Sequence, residues 1–139
     1  MTKLIDELQN LLGAENVLDS DAAISYYAYD WWPVAAKWRN QEKTPYKPDL
    51  AIRPQRIEDV AVAVQLANAH QVAITPWGAG SSVTGAPLPL NGGITLDLSD
   101  LNKTLNIDEQ NLTVTAEAGK MGYLLEAELN EKGYTLNHS

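Results

Sequence analysis

From Asp49 to Thr75 the chain reads as a strand, a helix and a second strand with almost no connecting residues, and that rhythm admits few folds. Leu50 to Arg53 is a short apolar run ended by Pro54. Ile57 to His70 repeats at helical spacing, with Ile57, Val60, Ala61, Val64 and Ala67 along one face and Glu58 and Asp59 favouring the dipole in the first turn. Val72 to Thr75 is the next strand. Connections this short imply a right-handed parallel crossover. The loop that follows then lies at the carboxyl edge of a sheet, where open α/β sheets bind ligands.

That loop is PWGAGSSVTGAPLPLNGG, in which Gly78, Gly80 and Gly85 surround Ser81 and Ser82. Glycine supplies positive φ angles and lets a ligand approach the backbone closely. Successive N–H groups in such a turn can converge on a phosphate oxygen, and the serine hydroxyls can add donors. Two better-known phosphate loops do not fit. Val83 stands where a dinucleotide fingerprint needs its third glycine, Pro87 and Pro89 bar the helix that should follow, and Ala86 stands where a P-loop needs lysine. The expected anion site is a nest of main-chain amides between Trp77 and Gly85. The bland alternative is a turn that reverses the chain, its amides bonded to its own carbonyls.

The flanking regions complete an α+β reading: a small mixed sheet with a βαβ unit and flanking helices, preceded by a helical and aromatic lead-in. Thr2 to Leu12 places Leu4, Ile5, Leu8, Leu11 and Leu12 at helical spacing and stops at Gly13. SYYAYDWWPVAAKW is rich in rings that cover a domain edge, with partner docking as the alternative. A polar link from Arg39 to Pro48 separates this lead-in, residues 1–47, from the domain proper, residues 48–139. Ile94, Leu96 and Leu98, and then Leu112, Val114, Ala116 and Ala118, alternate with polar residues as half-buried strands. A last helix from about Met121 to Lys132 ends at Gly133, and Tyr134 to Leu136 begins a strand.

Composition removes several classes of chemistry. With no cysteine there is no disulfide, thiolate nucleophile or cysteine-ligated metal. Neither His70 nor His138 has metal-site or nucleophile–base spacing; His70 is read as a charge at a helix C-terminus, His138 as a surface residue. The acidic pairs Glu58–Asp59 and Asp108–Glu109 are read as solvated charges. A net charge of −8 repels nucleic acid and anionic lipid, although a nest can still hold a phosphate locally. The N-terminal segment fits neither a signal peptide nor a membrane span, so a cytoplasmic protein is expected.

The segments PDLAIRPQRIEDV, PWGAGSSVTG, GGITLDLSDLNKTLNID and VTAEAGKMGYLLEAELNEKGYTL, in that order from Pro48 to Ser139, resemble the FAD-linked oxidases that share the fold of p-cresol methylhydroxylase and vanillyl-alcohol oxidase. The branch most like them holds glycolate, D-lactate and D-2-hydroxyglutarate dehydrogenases and alkylglycerone phosphate synthases. The resemblance implies that Pro76, Trp77, Gly78, Ala79, Gly80, Ser81, Ser82 and Gly85 wrap the FAD diphosphate. Ser81 stands where covalently flavinylated members often place histidine, so FAD is expected to be held without a bond. Trp77 also departs from the polar residue common there. The family's flavin domain continues beyond Ser139 and is followed by a substrate domain that carries the catalytic residues. No catalytic residue is therefore expected among these 139, and the piece is expected to bind FAD weakly or not at all. The implied activity is oxidation of a 2-hydroxy acid. Alternatives are an ether-forming transferase and a stand-alone interaction module.

Overall fold

A computed structural model describes residues 1–137, so the reading of His138 lies outside the described residues. Its main sheet has four strands: β1 (Val17–Leu18), β2 (Leu50–Ile52), β3 (Ile74–Trp77) and β4 (Ile94–Asp97), in the order β1-β2-β4-β3. β2 and β3 both run parallel to β4, and β1 is antiparallel to β2. The crossover from β2 to β3 is thus parallel, with β4 lying between the two strands it joins. β3 starts two residues later than predicted and takes in Pro76, which an edge strand tolerates because one side of its ladder is open. A separate antiparallel hairpin follows, β5 (Thr104–Asp108) and β6 (Thr113–Ala116).

Among the described residues, five α-helices accompany these strands: α1 (Thr2–Leu12), α2 (Asp21–Ser25), α3 (Pro33–Asn40), α4 (Ile57–His70) and α5 (Gly122–Asn130). α1 has the predicted bounds, and Leu4, Leu8 and Leu12 enter a core with Val17, Leu50, Ile52, Ala63, Ala67, Ile94 and Leu96, whereas Leu11 is exposed. Burying each such leucine contributes roughly 1.5–3 kcal/mol. The lead-in therefore shares one core with the strands that follow: α1 packs on α4, and β1 pairs with β2. His70 at the end of α4 meets Glu7 of α1, Nε2 to Oε2 at 2.8 Å.

Several local expectations are corrected. The buried face of α4 is Asp59, Ala63 and Ala67, while Ile57, Ala61 and Val64 are exposed; a helix apolar nearly all round does not reveal which face turns inward. Asp59 is not solvated. Its Oδ2 accepts the N–H groups of Gln55 and Arg56 at 3.1 and 3.0 Å, and its Oδ1 accepts from Arg56 Nη2 at 2.8 Å. Burial opposes its ionisation, but these donors outweigh burial and hold the carboxyl below the usual carboxylate range. β4 is covered on both faces and wholly buried, Thr95 and Asp97 included, where alternation suggested one wet face. Leu112 is exposed in the turn between β5 and β6 at φ 54°. No strand forms at Tyr134–Leu136: the Tyr134 N–H donates to the Leu129 carbonyl and the Leu136 N–H to Glu126, both C-terminal contacts of α5.

Candidate functional site

The glycine loop leaves the carboxyl end of β3 and returns toward β4. Its first residues are anchored by aromatic packing. Trp77 is 3% exposed and meets Tyr27 edge-on, ring centroids 5.2 Å apart. Gly80, at φ +63°, lies so close that a Cβ there would fall 2.3 Å from Trp77 Cζ2. Tyr27 Oη donates to Asp97 Oδ2 at 2.8 Å, and burial followed by this contact pushes the phenol well above its ordinary pKa, so it remains a donor. Asp97 also accepts the Ser99 N–H at 2.9 Å and lies 3.8 Å from Arg53 Nε, too far for a hydrogen bond but near enough for charge pairing. Arg53 and Gln55 donate to Asp100.

The far end of the loop is held by the lead-in. Asp30, 5% exposed, accepts the Gly85 N–H on Oδ2 at 2.8 Å and the Trp32 N–H on Oδ1 at 3.0 Å. The Trp31 N–H donates to the Ser82 carbonyl at 2.9 Å. A Cβ on Gly85, at φ +79°, would fall 2.9 Å from Trp32 Cε3. Within the loop, Ser82 Oγ accepts the N–H groups of Thr84 and Ala86.

Between these anchors lies a run of five residues whose backbone donors are not used within the protein. Among the described residues, the backbone N–H groups of Gly78, Ala79, Gly80, Ser81 and Ser82 donate to no protein acceptor. The same five residues, with Pro76, Ala86 and Pro87, line a shallow cleft of about 280 Å³. A second cleft of about 370 Å³ adjoins it through Gly78 and Ala79 and is bordered by Trp77, Asp97, Gly119 and Lys120. Lys120 Nζ pairs with Glu128, whose carboxyl this contact and one from Thr104 hold below the usual range. The unbonded donors from Gly78 to Ser82 border a cleft with room for a small anion. No cluster of three metal-ligating side chains occurs among the described residues.

A family model described as an FAD binding domain matches residues 48–139. The chain belongs to that family. Over 100 residues it is 30% identical to glycolate oxidase subunit GlcD of Bacillus subtilis, an alignment covering 72% of this chain and 19% of that protein. Its fold superposes on a solved alkyldihydroxyacetonephosphate synthase with a TM-score of 0.90 and 27% identity, over 100% of this chain and 26% of that one. A solved p-cresol methylhydroxylase with substrate bound gives a TM-score of 0.81 at 24% identity, over 95% of this chain and 25% of that one, a likeness of fold alone. The chain thus has the FAD-binding-domain fold of p-cresol methylhydroxylase and spans about a fifth of the length of its curated relative.

Of the eight loop residues singled out from the sequence, the structure brings Pro76, Gly78, Ala79, Gly80, Ser81 and Ser82 to one cleft. Trp77 is buried beneath them, and the Gly85 amide is taken by Asp30. Asp30, Tyr27 and Lys120 were not singled out. A lone carboxylate among rings, in YYAYDWW, was the available signal for Asp30.

Proposed function

We propose that residues 76–85 of this FAD-family chain cradle the diphosphate of a non-covalently held FAD, and that the intact enzyme oxidises a 2-hydroxy acid by hydride transfer to the flavin. The observation that carries the reading is the run of amides from Gly78 to Ser82, which have no acceptor among the described residues. Neutral N–H donors suit a diphosphate on a chain of net charge −8, because they bind an anion without requiring a basic surface. The residues fit the group: Gly80 supplies the positive φ, Ser81 and Ser82 add hydroxyls, and the adjoining clefts extend the surface beyond a single phosphate. Ser81, standing where covalently flavinylated members often place histidine, has no ring nitrogen with which to tether the flavin. The glycolate oxidase subunit among the relatives supports the substrate class.

The flavin would supply the electron chemistry; this chain's part is to bind, orient and keep the diphosphate from water. The test is the full-length gene product, which should be isolated yellow, release FAD intact on denaturation, and reduce an artificial acceptor with glycolate or D-lactate. A colourless preparation that takes up no FAD overturns the cofactor reading. The likeness to alkyldihydroxyacetonephosphate synthase favours a second reading, a flavin-assisted transferase, and a yellow protein inert toward every 2-hydroxy acid would select it.

A further inference from the structure

The contacts around Asp30 extend the role of the lead-in from covering a sheet to shaping the site. Asp30 is separated from Gly85 by 55 residues and belongs to no helix or strand, yet it is 5% exposed. Burying a carboxylate is costly unless donors meet it, and two backbone N–H groups do so here, one on each oxygen. Beside this contact, the Trp31 N–H holds the Ser82 carbonyl and the Trp32 ring closes against Gly85. At the other end, Tyr27 packs on Trp77, whose ring lies under Gly80. Both ends of the Gly78–Ser82 run are thus gripped from one short stretch, Tyr27 to Trp32.

We propose that Asp30 is the positioning residue of the dinucleotide loop: by holding the Gly85 amide it keeps the Gly78–Ser82 amides in a fixed arrangement before any ligand arrives. The inference rests on the FAD reading for the identity of the ligand, though not for the clamp itself. An ordered loop binds more tightly because it loses less freedom on binding. Asparagine at position 30 keeps the shape but has one acceptor oxygen in place of two, leaving an N–H facing an NH₂ group.

The experiment compares D30N with D49N in the full-length gene product. Asp49 Oδ2 accepts the Gly93 N–H at 2.7 Å, a bond of the same kind at the opposite edge of the sheet, so it controls for general loosening. Residue-resolved amide hydrogen exchange without ligand should be about tenfold faster at Gly85 in D30N than in D49N, the factor that losing one charge-assisted hydrogen bond carries. FAD affinity, read by flavin fluorescence, should weaken by a similar factor in D30N and not in D49N. Equal exchange at Gly85 in the two variants, or faster exchange with unchanged FAD affinity, overturns the proposal. A wild type that takes up no FAD overturns the cofactor reading, while the clamp is still decided by exchange. If D30N does not fold, the wild type decides: protection at Gly85 that is no stronger than at Ala79 overturns the clamp.

Discussion

At the scale of single residues, the loop's glycines divide by what surrounds them. Gly80 combines a positive φ with a Cβ position only 2.3 Å from Trp77 Cζ2, whereas nothing lies within 4 Å of a Cβ on Gly78. Gly80→Ala should therefore cost about 1–3 kcal/mol in backbone strain, before the displacement of Trp77 is counted. Gly78→Ala should change stability by no more than about 0.5 kcal/mol. Urea midpoints of the two variants check this, and equal shifts would remove Trp77 as the reason for glycine at position 80. The glycines themselves were legible in the sequence. Which one is sterically required was not, because the ring that decides it belongs to a neighbour whose direction only the folded strand sets.

At the scale of elements, α1 and α4 hold the sheet's core face. Leu8 is fully buried between them, and Leu8→Ala should cost about 2–5 kcal/mol, measurable as a lowered denaturation midpoint. Carboxyls on the same pair of helices contribute to stability at acid pH. Asp59 keeps a lowered pKa for the reasons given above, and Glu7 does so chiefly through the hydrogen bond with His70. A carboxyl whose folded pKa lies below its unfolded value contributes stability that is complete above the unfolded pKa and disappears as pH falls through the folded one. Thermal stability should accordingly decline below about pH 4, the unperturbed carboxylate range, and Asp59→Asn should flatten that decline. An unchanged acid limb in Asp59→Asn would show that the helix start does not contribute to it. The helices were legible from period and length. The burial of Asp59 was not, since Glu58–Asp59 looks the same in sequence whether it faces water or the preceding turn.

At the scale of the whole molecule, residues 1–47 contribute a strand, a core helix and the loop's anchors to the domain that the family model begins at residue 48. Removing them would expose the apolar face of β2 and α4 and free the Gly85 amide. A chain starting at Pro48 should lose cooperative thermal unfolding by circular dichroism, while the 139-residue chain retains it. A sharp transition in the shortened chain would show the lead-in to be dispensable.

Sequence alone determined α1, α4, the parallel crossover, the mixed α+β class and the place of the glycine loop, because each rests on periodicity or turn chemistry within about a dozen residues. Tertiary structure decided that β4 lies between β2 and β3, that β4 is dry on both faces, that Tyr134–Leu136 closes a helix, and that Asp30 grips Gly85. Those outcomes depend on which distant surfaces meet. One of the two donors to the buried Asp30 carboxylate lies 55 residues along the chain, and no local pattern encodes that distance.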